Sequence, residues 1–224
     1  MTKYSLCLSV VLTLVVAVGA FATPSTLIWI PSTDIQADKT WHLGLDNYVV
    51  AHNAGVTSSP TYDLGPEYGF AGGRAEAGID YITGFSDPLF FNAKYKLLAE
   101  KGGVPTLVVG GFGFGTKQDK TDYNMVYLLG SKTFAPVRLT LGYCHGNKAA
   151  LGTDENMLMA GIDGNLSKKW WAAVDYQSGQ NVWGALNAGV SYNFADNVSV
   201  IFGYDWYNSS ALKDTFTTQL DINF

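Results

Sequence analysis

From Thr40 to Phe224, apolar residues recur at every second position in twelve separate runs, the period of a strand that has one apolar face. Clusters of Gly, Asn, Asp and Pro break the runs, which fall at 40–50, 61–70, 73–83, 88–99, 104–115, 122–133, 136–145, 156–166, 169–178, 182–193, 197–207 and 214–224. Several alternate without error. In the second, Tyr62, Leu64, Pro66, Tyr68 and Phe70 share one face, and Asp63, Gly65, Glu67 and Gly69 the other. In the third, Ala75, Ala77, Ile79 and Tyr81 oppose Arg74, Glu76, Gly78 and Asp80. In the eleventh only Ile201 breaks the polar face, whereas the GGFGFG stretch of the fifth, Gly110 to Gly115, is ambiguous as to face. The pattern predicts an all-β chain of twelve antiparallel strands, or ten if two weaker runs merge.

Alternation alone does not say which face looks outward, so a soluble carrier barrel or sandwich is the alternative. Bore size argues against it. Twelve strands enclose more space than Leu and Val side chains can fill, whereas an apolar exterior is solvated by lipid and a charged interior by water or by opposite charge. The connections alternate in length: short at 71–73, 100–103, 135–136, 167–169 and 195–197, and longer at 51–60, 116–121, 146–155 and 208–213. Outer-membrane barrels have short periplasmic turns and long external loops, and an even strand count puts both termini on the turn side. The expectation is a transmembrane, up-and-down β-barrel over residues 40–224.

The N-terminus reads as a secretory signal over residues 1–22: a basic start at Lys3, an apolar run from Leu6 to Val18, and the small-x-small sequence Ala20-Phe21-Ala22. That apolar run is too short for a spanning helix, which needs about 20 residues. Cleavage after Ala22 removes Cys7, and Cys144 alone is left, so no intrachain disulfide forms in the mature chain. Residues 23–39, with Leu27, Ile28, Trp29 and Ile30, are too short to span and form a leader that plugs the lumen, lies on the rim or stays disordered. The net charge of −5 comes with scattered basic residues, so nucleic acid, which needs a concentrated basic face, is excluded as a partner.

The C-terminal strand FTTQLDINF ends on an aromatic residue with apolar residues at every second position before it, and it resembles the terminal signature of bacterial outer-membrane β-barrels. IPSTDIQ, DPLFFNAKY and VDYQSG are similar to stretches of porin-like barrels. The resemblance implies export to the outer membrane and insertion into its lipid by the barrel assembly machinery through Leu220, Ile222 and Phe224; it names no substrate, and the function expected is a porin-like channel for passive diffusion of small polar or cationic solutes. Aromatic residues cluster at strand ends, with Trp41, Phe70, Trp170 and Phe224 toward the turns and Tyr62, Tyr123, Tyr143 and Trp206 toward the loops, as two interfacial girdles would.

The predicted lumen face carries Asp46, Asp63, Glu67, Glu76, Asp80, Asp163, Asp175, Asp205 and Asp221 against Arg74, Lys94, Lys96 and Arg138, a net −5. Rings of charge set pore selectivity, and this excess favours cations. Equally, the same groups could pair across the lumen and close it. Gly followed two residues later by Asp recurs at Gly44, Gly78, Gly161 and Gly203, leaving room beside a carboxylate for a long basic side chain or a solute.

Catalytic chemistry finds little support. His42, His52 and His145 are not at metal-ligand spacing, and no Ser, His and acid stand in a recognisable order. A rim hydrolase using His52 and His145 with Asp154 or Glu155 is the enzyme alternative, and a closed structural barrel the other. GGFGFG lacks the lysine and following helix of a nucleotide loop, so neither a cofactor nor a metal is expected.

Overall fold

The computed structural model describes residues 25–51, 59–117, 123–152 and 154–224. The signal-peptide reading of 1–22 and the histidine at position 52 lie outside these residues. Twelve strands form in the order of the predicted runs: β1 Trp41–Val50, β2 Thr61–Phe70, β3 Ala75–Ile82, β4 Leu89–Leu98, β5 Thr106–Gly115, β6 Met125–Phe134, β7 Val137–Gly146, β8 Asn156–Asn165, β9 Trp170–Gln177, β10 Ala185–Ala195, β11 Val198–Tyr207 and β12 Thr215–Asn223. Among the described residues there is one short helix, α1 (Lys148–Leu151), in the β7–β8 loop with Asn147 at its N-cap. Every strand pairs antiparallel with its sequence neighbours, and β1 pairs with β12, so the sheet closes as an up-and-down barrel. The seam is well made: Leu45 faces Leu220 and Leu43 faces Ile222. Past the last pair, the amides of Trp41 and Phe224 each donate to the other's carbonyl at 2.7 and 2.9 Å.

Strands of about ten residues at 3.3 Å per residue, tilted by about 40°, rise roughly 25 Å, the height of an apolar membrane band. Large apolar side chains point outward all around the wall, among them Leu64, Ile79, Leu128, Leu141, Leu158 and Phe202. Alternating positions point inward and are buried. At the turn end, exposed Trp41 packs on Tyr68 and exposed Trp170 on Tyr192, each at 4.8 Å between ring centres; at the loop end Tyr62, Tyr143 and Trp206 are exposed. Tyr123 departs from the girdle expected of it. It faces the lumen and packs on Phe85 at 5.7 Å.

The ambiguous face of β5 has a local cause. Val108 and Phe112 point inward, but Gly113 takes φ +71° and the pairing with β4 shifts register there, so Phe114 turns outward. A left-handed residue inserted in one strand reverses the face of everything beyond it, and glycine adopts that conformation without steric cost.

Inside the barrel, the chain before β1 folds as a hairpin. Thr26 bridges Pro31, the Leu27 amide donates to the Ile30 carbonyl at 2.9 Å, and the Ser32 amide donates to that of Ser25 at 2.9 Å. Its tip buries Leu27, Ile28 and Ile30 completely against Val108, Leu129, Met157, Met159 and Ile201 of the wall. Ile201 is apolar on an otherwise polar face because it meets this tip. Burying three such side chains contributes roughly 5–9 kcal/mol toward holding the hairpin in place, an upper estimate.

Candidate functional site

Polar wall residues fix the hairpin at three heights. At the tip, Oδ2 of Asp175 accepts the backbone amides of Ile28, Trp29 and Ile30 at 2.8, 2.9 and 3.4 Å, while Asn187 donates to Oδ1 at 2.7 Å. Consecutive amides converging on one carboxylate make an anion nest. Gln219 on β12 donates to the Ile28 carbonyl at 2.8 Å. Lower down, Lys94 pairs with Glu76 at 3.0 Å and donates to the carbonyls of Ser25 and Ser32, while Ser25 donates to Glu67 and the Gln36 amide to Glu76 at 2.6 Å. Toward the turn end, Arg138 holds Asp163 through Nε and Nη2 at 3.0 and 3.1 Å, and Asp34 of the hairpin leg through Nη1 at 2.8 and 2.9 Å. Trp171 adds a bond to Asp163 at 3.1 Å.

The glycines of the Gly-x-Asp pairs serve this packing more than they serve a solute. A Cβ at Gly161 would meet Leu27 of the hairpin at 2.5 Å, one at Gly203 would meet Thr217 at 2.9 Å, and one at Gly78 would meet Glu67 at 2.5 Å. Only at Gly44 does the freed space look onto the cavity without crowding, its nearest neighbours lying 3.6 Å away. At Gly161 the hairpin therefore takes the space expected for a basic side chain or a solute, whereas at Gly78 and Gly203 neighbouring wall residues take it.

The hairpin fills the lumen on the side of β5–β9. On the side of β11, β12 and β1–β4 it leaves a cavity of about 1060 Å³ that runs from the loop end down to His42 and Asp221. Seven carboxylates line it, those of Asp46, Asp63, Glu67, Glu76, Asp80, Asp214 and Asp221, against two lysines, Lys94 and Lys213. Asp46 and Asp63 are register partners on β1 and β2, and Asp80 extends the row on β3, where Asn92 donates to it at 2.8 Å. At the lower end of the cavity His42 lies 3.4 Å from Asp221 and 3.2 Å from Asn223.

Of the thirteen charges placed in the lumen from sequence, Arg74 is a correction. It is exposed, donates to the carbonyls of Lys96 and Leu97 at 3.2 Å, and lies 5.3 Å from the Tyr95 ring on the outer wall. The turn over Ala71–Gly73, with three consecutive positive φ values, ends at Arg74 before β3 begins, so strand alternation does not reach it. Glu76, Asp80, Lys94, Arg138, Asp163, Asp175, Asp205 and Asp221 do lie inside, where Lys94 pairs with Glu76 and Arg138 with Asp163; Lys96 is half-buried in reach of Asp34. Asp205 accepts from Thr215 at 2.7 Å and keeps its other oxygen buried without a protein partner. The hairpin's own Asp34, Ser25 and Gln36 were missed, because nothing in a polar leader marks which of its residues will meet a wall.

His145 points to the outer face and bonds Asn156 at 2.9 Å; the carboxylate of Asp154 accepts the Gln180 amide at 2.7 Å, and Glu155 pairs with Lys148 at 3.5 Å. These contacts bring no acid and nucleophile to the histidine. Cys144 is buried in the apolar cluster.

No family model and no curated protein matches the sequence. Solved structures do match. One described as "KdgM porin" superposes with a TM-score of 0.57 at 12% identity, over 82% of this chain and 99% of its own. A second, "KdgM porin in complex with disordered oligogalacturonate", gives 0.55 at 13% identity over 82% and 99%. A NanC porin structure gives 0.49 at 10% identity over 81% and 97%. Likeness at such identities is one of architecture: the chain shares its closed, twelve-stranded antiparallel β-barrel fold with the KdgM porin.

Proposed function

We propose that this chain is an outer-membrane channel for passive diffusion of small polar or cationic solutes. The observation that carries the reading is the cavity beside the hairpin, reaching from the loop end deep into the barrel with seven carboxylates against two lysines on its wall. A water-filled path lined by one sign of charge raises the local concentration of the opposite ion and lowers its entry barrier. The KdgM porin is described in complex with an oligogalacturonate, an acidic chain; an acidic wall does not favour such a ligand here. The apolar outer belt and the two aromatic girdles support lipid as the surrounding medium, and the terminal strand supports insertion by the barrel assembly machinery.

A closed structural barrel is the second reading, and the Arg138 and Asp175 anchors of the hairpin favour it. Planar-bilayer recording separates the two. A channel conducts in discrete steps with purified protein, and a sealed scaffold gives no steps above the bare-bilayer background.

A further inference from the structure

The upper cavity is aromatic where the lower is acidic. Trp29 at the hairpin tip meets Tyr48 and Tyr207 edge-on, each at 5.6 Å between ring centres, and Trp183 at 6.1 Å. Trp183 packs edge-on to Phe112 at 4.9 Å, and Phe85 bridges Phe90 and Tyr123 at 5.2 and 5.7 Å on the far side. Directly beneath this arc lies the row of Asp46, Asp63 and Asp80. Tyr48 stands two residues beyond Asp46 on the same face of β1, and Phe90 is the register partner of Asp80. Among the described residues no basic side chain pairs with any of the three acids. Oδ1 of Asp63 is buried and accepts no hydrogen bond from the protein.

A hydrated metal ion would have to shed water to use the ring faces that precede the acids, and a neutral solute gains nothing from the charge of adjacent carboxylates. An organic cation with an apolar shell uses both. Its positive charge is attracted by the negative face of the rings and by the carboxylates, while its methyl or methylene groups pack on the aromatic wall. We propose that the cavity is a binding site for alkylated ammonium compounds, held between the aromatic arc and the Asp46–Asp63–Asp80 row. This narrows the cationic cargo of the channel reading and rests on it for transport, though not for binding.

Titration calorimetry on the full chain in detergent, with choline chloride as probe and 3,3-dimethylbutan-1-ol as its neutral isostere, tests the site without requiring conduction. Choline should bind about tenfold or more tightly than the isostere, the preference expected when a cation meets both a carboxylate and a desolvated ring. Tyr48→Leu should weaken choline by about 3–30-fold. The double variant Asp46→Asn, Asp63→Asn should erase the preference for choline over the isostere. Equal binding of the two probes to the unaltered protein overturns the proposal whatever the variants do, as does choline binding that neither variant changes. Choline binding by a protein that gives no current steps upholds the site and removes the channel reading, whereas current steps without choline binding remove the site alone.

Discussion

At the scale of single residues, two side chains decide how firmly the hairpin is held. Arg138 joins the wall through Asp163 and the hairpin through Asp34, and is largely buried. Removing one partner of a buried pair costs about 3–5 kcal/mol because the remaining carboxylates lose their counter-charge. Arg138→Ser should therefore free the hairpin leg and raise single-channel conductance; unchanged conductance with a stronger cation preference would show that the leg does not obstruct the path. Asp175→Asn replaces the acceptor of three amides with a neutral group and should loosen the tip by about 2–3 kcal/mol, since hydrogen bonds to a charged group contribute about 1.5–3 kcal/mol. Faster hydrogen exchange at Ile28, Trp29 and Ile30 would register that loosening, and unchanged protection would refute the nest. Residues of this kind were half legible. Alternation placed Asp175 and Arg138 on the inner face, but their partners belong to a segment with no period, and Arg74 misled because a turn of left-handed residues precedes it.

At the scale of elements, strands were readable and the hairpin was not. Each strand alternates because one face meets an apolar medium and the other does not, and that contrast is written residue by residue; all twelve strands of the closed barrel lie within the predicted runs apart from an end residue or so. The leader's Leu27, Ile28, Trp29 and Ile30 carry no such contrast. Their destination is specified by inward positions far away in sequence, and of these only Ile201 stood out as an apolar intruder. The final strand closes the barrel. Leu220 and Ile222 alternate with buried Gln219 and Asp221, and Phe224 exchanges two backbone bonds with Trp41 beyond the last pair. Deleting Phe224 removes both seam bonds and the terminal aromatic ring, and should lower the amount of folded protein recovered from outer membranes, seen as loss of the heat-modifiable band. Undiminished recovery would argue that assembly does not read this residue.

At the scale of the whole molecule, a barrel of twelve strands is wider than one layer of side chains can fill, and the structure resolves this asymmetrically. The hairpin and its apolar neighbours occupy the half under β5–β9, and the acidic cavity occupies the half under β11–β4. The hydrophobic tip packs on one side, whereas the other combines hairpin anchors, Glu67, Glu76 and Lys94, with the Asp46–Asp63–Asp80 row that faces the cavity. The balance of charge along the second side makes cation selectivity the central claim. Reversal potential across a planar bilayer with a KCl gradient tests it most directly. The account predicts a potential of the sign set by potassium, reduced when Asp46 and Asp63 are both changed to Asn. A potential of the sign set by chloride would contradict it, because the conducting path would then not run past the acidic wall.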